Sequence, residues 1–159
     1  MDLIRKRPYL LWAALFGASL VLGLAFFFMF PVRQTERYLF FPENITGKLN
    51  GESRLVPWQP TLELAVHALI AEELLGPERL RDQRVAPVDT RVQALLVRHD
   101  HVYIDFSTEM VTAADQIQES VDRAIEILVH TVRFNFPQIK QVTVTIDGQL
   151  PGQPYFSIK

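Results

Sequence analysis

Between Arg7 and Arg33 the chain runs for 25 residues, Pro8 to Val32, without a single charge. No other feature constrains its fold as strongly. Tyr9 to Phe30 make a helix of roughly 33 Å at ~1.5 Å per residue, which matches a hydrocarbon core of about 30 Å. Tyr9 and Trp12 stand where ring systems favour the membrane interface, and Phe26 to Phe30 crowd the other end. Arg5, Lys6 and Arg7 precede the run, whereas Arg33 and Arg37 beyond it are offset by Glu36 and later acids. Positive-inside bias then puts residues 1–8 in the cytoplasm and everything after Pro31 across the membrane. A cleaved signal peptide is the competing reading. Against it, Gly17-Ala18-Ser19 lies in mid-span, and Phe26 to Phe30 offer no small-x-small cleavage site. A buried core helix fits worse still, because a helix apolar on every side has nowhere to hide in so small a domain.

A length of 159 residues supports one globular domain behind that segment. The 129 residues after residue 30 carry 13 basic and 17 acidic side chains, a formal charge of −4. Such a balance gives no field for gripping phosphate backbones, so nucleic acid is not an expected partner. The chain has no Cys, which removes disulfides, thiolate metal sites, a cysteine nucleophile and a lipid-modified N-terminal Cys together. Only residues 31–37 link the span to the first strand signal, a reach of at most ~25 Å. The domain is therefore expected close to the membrane.

Tyr38 to Pro42 is short, aromatic and strand-like, and Asn50-Gly51 is a turn signal ahead of Arg54 to Trp58. These predict a hairpin, with Pro42 and Pro57 at its ends or edge. Pro60-Thr61 opens a helix with Thr61 as N-cap; Leu62, Ala65, Val66, Leu69, Ile70 and Leu74 keep helical spacing until Gly76-Pro77 stops it. Residues 77–90 read as a loop. Arg91 to Val97 and Val102 to Phe106 form a second hairpin around Arg98 to His101, with Val102, Ile104 and Phe106 on one face. Thr112 and Asp115 approximate a capping box before a long helix whose stripe is Ile117, Val121, Ala124, Ile125, Leu128, Val129 and Val132. It ends by Phe136-Pro137, and Val142, Val144 and Ile146 alternate with Thr143 and Thr145 in a last strand closed by Asp147-Gly148. The expected fold is α+β: an N-terminal transmembrane helix, then a two-layer sandwich of a β-hairpin followed by α-β-β-α-β. Its divisions are residues 1–8, 9–30 (anchor), 31–37 (linker), 38–148 (domain) and 149–159 (tail).

These residues resemble a known family. Leu69 to Pro77 is similar to the "leucine-leucine-x-Gly-Pro" helix end of the GerMN, or sporulation and germination, domain, with Gly76 and Pro77 in the motif places. Pro87 to Thr90 resembles that domain's "Pro-x-Gly-Thr" lead into the central hairpin, with Asp89 where the family usually shows Gly. Val102 to Ser107 resembles its "valine-x-valine-Asp-Phe-Ser" strand, which sets Asp105, Phe106 and Ser107 as family-motif positions. Ala124 to Thr131 with Phe136-Pro137 resembles its second helix, and Val142 to Gly148 its closing strand. The resemblance implies a fold similar to ring-building-motif domains of cell-envelope assemblies, and no known catalysis. Many members are lipoproteins, which a chain without Cys cannot be in the same way.

His99-Asp100-His101 puts two imidazoles on one side of a strand, a pattern that suits a metal, but no third ligand is identifiable. Ser107 with His130 or His67 would be a nucleophile and base, yet none of the glycines of a nucleophile elbow surround it. Ser107 and Asp105 are better read as satisfying backbone donors where the strand turns. The loop arginines Arg79, Arg81, Arg84 and Arg91, interleaved with Glu78, Asp82 and Asp89, form a candidate partner surface. Asn44-Ile-Thr46 is a formal glycosylation sequon of little weight. The expectation is a bacterial inner-membrane protein with its N-terminus inside and its domain outside. It would be non-catalytic, without cofactor or metal, binding other envelope proteins and copies of itself. A ligand-binding or hydrolytic domain acting on envelope polymers is the rival.

Overall fold

The computed structural model describes residues 8–29 and 33–152, in two units divided between Arg33 and Gln34. The basic cluster Arg5 to Arg7, the span's last residue Phe30, and residues 153–159 of the tail lie outside the described residues. The first unit holds one helix, α1 (Pro8–Met29), whose described side chains are all exposed. Within it Leu11–Met29 is long and apolar enough to cross a membrane.

The second unit is an α+β domain. Strands β1 (Gln34–Pro42) and β2 (Leu49–Pro57) pair antiparallel as a sheet of their own. Strand β1 begins at Gln34, four residues ahead of the aromatic run that signals it. Helix α2 (Leu62–Leu74) follows, capped by the Thr61 hydroxyl, which accepts from the Leu64 amide at 3.3 Å. Strands β3 (Val92–Arg98) and β4 (His101–Phe106) form the second hairpin. A short helix α3 (Glu109–Thr112) and a 3-10 turn (Ala114–Gln116) lead to helix α4 (Val121–Asn135). Strand β5 (Gln141–Ile146) then pairs parallel with β4, giving the sheet order β3-β4-β5. The crossover through α4 allows that parallel pairing, which no tight turn could make.

Both expected strand phases hold. Val102, Ile104 and Phe106 are buried while Tyr103 is exposed, and Val144 and Ile146 are buried from β5. Leu39 and Phe41 of β1 bring the hairpin into the same core as Val66, Leu69 and Ile70 of α2 and Leu128 and Val132 of α4.

Three local expectations need correction. The β1–β2 connection runs through Asn44 to Gly47, where Gly47 takes φ 65°, and Asn50-Gly51 lies inside β2. Gly51 stands opposite Phe40, whose ring would be 3.4 Å from a Cβ there, so this glycine makes room for an aromatic rather than a turn. The cap of α4 is Ser120, whose Oγ accepts from the Arg123 amide at 3.2 Å. Thr112 instead closes α3, with its hydroxyl bonded to the Thr108 carbonyl. Finally, the buried face of α4 includes Ile127 and Thr131; Ile125 and Val129 are half-buried, and Ile117 precedes the helix.

Candidate functional site

The richest polar assembly lies at the C-terminal end of α2. A helix end leaves carbonyls without intrahelical donors, and cations there also oppose the helix dipole. Two arginines from distant segments meet this need. Arg54, on β2, donates from Nη1 to the Glu72 carbonyl at 3.1 Å and from Nη2 to the Gly76 carbonyl at 2.6 Å. Its Nε donates to Glu52 at 2.6 Å, and Glu52 in turn accepts from the Glu78 amide at 3.2 Å. Arg84, on the following loop, donates to the Leu75 carbonyl at 2.7 Å and to that of Leu74. Gly76 takes φ 91°, and a Cβ on it would sit 2.7 Å from Arg84 Nη1. Only glycine satisfies both demands.

In the last turn of the same helix, Glu73 is buried and its Oε1 accepts the Thr131 hydroxyl at 2.6 Å. Burial pushes this carboxyl well above the usual carboxylate range, outweighing the Thr131 hydroxyl, the Phe40 amide and the Arg54 charge, which favour ionisation. Nothing in the spacing of the sequence marks Arg54, Glu52 or Glu73. Each looks like an ordinary charge until the hairpin closes over the helix.

The loop carrying the arginines is pinned to the β1–β2 turn. The Asn44 amide donates to the Arg81 carbonyl, the Gln83 amide to the Pro42 carbonyl, and Asn50 to Asp82 at 2.8 Å. Between these ties and the Glu78 amide bonded to Glu52, Arg79, Leu80 and Arg81 are exposed, Leu80 completely. Arg91 is exposed as well, while Arg84 is spent on the helix end. Of the four arginines, Arg79, Arg81 and Arg91 are thus presented to solvent, and Arg84 is bonded to the helix end.

The remaining motif residues hold the far side of the domain. Asp105 Oδ1 accepts the Thr145 hydroxyl at 2.6 Å and the Gly148 amide at 2.9 Å, tying the end of β5 to β4. Ser107 Oγ accepts from the Arg91 amide at 3.0 Å. It donates in turn to Glu109, and that hydrogen bond is the main reason the Glu109 carboxyl lies below its ordinary range. Phe106 is in the core, and Phe136 is buried under the Arg37 guanidinium at 4.4 Å. Pro137 is exposed after it. Thr90 is buried, its amide bonded to the Pro87 carbonyl at 3.1 Å. Asp89, inside that turn, stays out of the left-handed region, so the turn has no need of glycine there.

The histidines are scattered. His99 is a turn residue at φ 58°, and His101 is bonded to the Thr143 hydroxyl at 2.7 Å and stacked on Tyr103. His130 packs edge-on against Phe40, and His67 is exposed on α2. Ser107 thus has an amide and a carboxylate as partners rather than the imidazole of His67 or His130. Among the described residues no three His, Asp or Glu side chains are placed to hold a metal. A cleft of about 440 Å³ opens between Val111, Val121, Ile146 and Leu150, with mainly apolar walls.

Residues 38–150 match the family model Germane, described as sporulation and spore germination. No curated protein matches the chain. Among solved structures, the first GerMN domain of the sporulation protein GerM from Bacillus subtilis is 21% identical, with a TM-score of 0.54 over 73% of this chain and 85% of that one. The tandem GerMN domains of the same protein give 18% identity and a TM-score of 0.55, over 74% of this chain and 41% of that one. At such identities the likeness is one of fold.

Proposed function

The chain belongs to the Germane family, and from that premise we propose that it is a membrane-anchored, non-catalytic assembly module of a bacterial cell envelope. Helix α1 is the anchor, residues 1–8 are cytoplasmic, and the domain faces outward to bind other envelope proteins, copies of itself included. The observation that carries the reading is Leu80. A fully exposed leucine between two arginines, on a loop fastened on both sides, supports a contact point there, with the arginines as its anchors. Arginine adds bidentate recognition of carboxylates on a partner. The sites a catalyst would need are instead consumed by structure: Ser107 fixes a strand end and His101 bonds Thr143.

In-cell crosslinking from position 80 tests this. It should capture discrete envelope proteins, and the capture should weaken when Arg79 and Arg81 are both changed to Glu. Full function in that double variant, with loss of all function in folded Ser107→Ala or His101→Ala, would replace assembly by a catalytic or ligand-binding role. The rival reading draws on the apolar cleft beside Val111 and Ile146, which would take an apolar group rather than a sugar polymer. Orientation is tested separately. A reporter active only outside the cytoplasm, fused after Lys159, should be active.

A further inference from the structure

We infer that the open end of the β1–β2 hairpin, with Leu55 and the adjoining Trp58, rests in the headgroup layer of the membrane that α1 spans. The inference builds on the anchored reading above and adds a second, reversible lipid contact made by the domain itself. Three observations converge on it.

The first is reach. Gln34, the first residue of β1, follows Met29 of α1 by five residues, at most about 18 Å of chain. The headgroup region on each side of the hydrocarbon is about 5–8 Å deep, so the start of β1 cannot travel far from it. The second is register. Gln34 pairs with Pro57 and Glu36 with Leu55, so β2 returns to the tethered end before Trp58 leaves it. Directly opposed residues share a face of a sheet, which places Leu55 and Pro57 beside Gln34, Glu36 and Tyr38 on the side away from the core residues Leu39 and Val56. The third is chemistry. Leu55 is 64% exposed, Trp58 50% and Tyr38 44%. Glu36, the acid among them, has its carboxylate bonded by the Ser53 hydroxyl. An exposed leucine on the strand and a tryptophan just beyond its end are side chains that favour the interface between water and hydrocarbon, while the Tyr38 ring packs edge-on against Phe134 at 5.7 Å.

The same register explains why this end and not the other meets lipid. The exposed Ile45 is in the hairpin's tip and the exposed Leu80 on the loop bonded to it, a nine-residue strand, or ~27 Å, from the tether. The lipid-seeking end and the protein-seeking end are opposite ends of one ladder.

Trp12 and Trp58 are the two tryptophans of the chain, so each can be made the sole reporter of one claim. The full chain is reconstituted in phosphatidylcholine vesicles as Trp12→Phe and, separately, as Trp58→Phe. In Trp12→Phe, the emission of Trp58 should be quenched by lipids brominated high on the acyl chain and protected from aqueous acrylamide, and Leu55→Glu should reduce that lipid quenching. In Trp58→Phe, Trp12 should also be quenched by brominated lipid. If Trp12 is quenched and Trp58 is not, the anchor stands and the lipid contact is wrong. Trp58 shielded from acrylamide without lipid quenching gives the face to a protein partner and equally overturns the inference. If Trp12 fails to respond to brominated lipid, the anchored reading falls and takes this one with it.

Discussion

Arg54 Nη2 lies 2.6 Å from the Gly76 carbonyl, so a strand residue supplies the end of a helix that begins eight residues after it. The same guanidinium is ion-paired with Glu52, and both side chains are almost fully buried. Such a pair is costly to break, because removing one partner strands the other charge.

Arg54→Ala should therefore destabilise the protein by about 3–5 kcal/mol, the penalty for leaving Glu52 uncompensated. Arg54→Lys should recover only part of it, since an ammonium cannot reproduce the fork that spans two carbonyls and a carboxylate. Denaturant melts of the three proteins check both statements.

Glu73 sets a pH dependence. Its carboxyl is raised in the folded state, so the folded protein holds a proton that the unfolded chain has already released. Stability from this group is complete below the ordinary carboxylate range and falls as pH rises toward the raised folded value. Glu73→Gln keeps an acceptor for Thr131 and has no proton to lose. Its unfolding midpoint should fall less than the wild type's between mildly acidic and neutral pH; parallel curves would refute the assignment.

On α4, Leu128 is buried and Ile125 half-buried. Leu128→Ala should cost about 2–5 kcal/mol as a cavity in the core, and Ile125→Ala clearly less. Equal losses in chemical denaturation would mean that the helix is rotated from its described face.

The loop arginines separate by the same measurement. Arg84→Glu should lower stability, because it removes the donor to the Leu74 and Leu75 carbonyls and sets an anion against the helix terminus. Arg79→Glu with Arg81→Glu should leave the melting curve within ~0.5 kcal/mol of wild type, as exposed substitutions usually do.

Asp105→Ala removes the acceptor shared by Thr145 and the Gly148 amide. A loss of about 1–2 kcal/mol is expected, with faster amide exchange at Gly148 as its local signature.

Where a signal was periodic, the sequence was readable. The alternation Val102, Ile104, Phe106 and the stop at Gly76 both reflect backbone rules that act within a few residues. Asn50-Gly51 misled because the glycine answers to the ring of Phe40 across the ladder, a contact invisible along the chain. Ser120 was missed for a related reason: residues 113–119 make a separate turn before α4 can start. The α2 terminus was the least legible part of the site. Arg54 and Gly76 are 22 residues apart, and Glu73 and Thr131 are 58 apart. Only packing decides that these charges are inside rather than in water. Leu80 and its flanking arginines were legible as a polar loop, but the rigidity that makes them a surface comes from bonds to Asn44 and Pro42.

The hairpin register also has a mechanical meaning. A pull on the chain ahead of the domain enters β1 at Gln34, and the nine residues of that strand are each paired with β2. A pull along the strand axis loads that ladder in shear, so its hydrogen bonds share the force instead of parting one after another. Forced opening is governed by the unfolding rate rather than by equilibrium stability. The domain's resistance to such a pull is therefore set at its first strand.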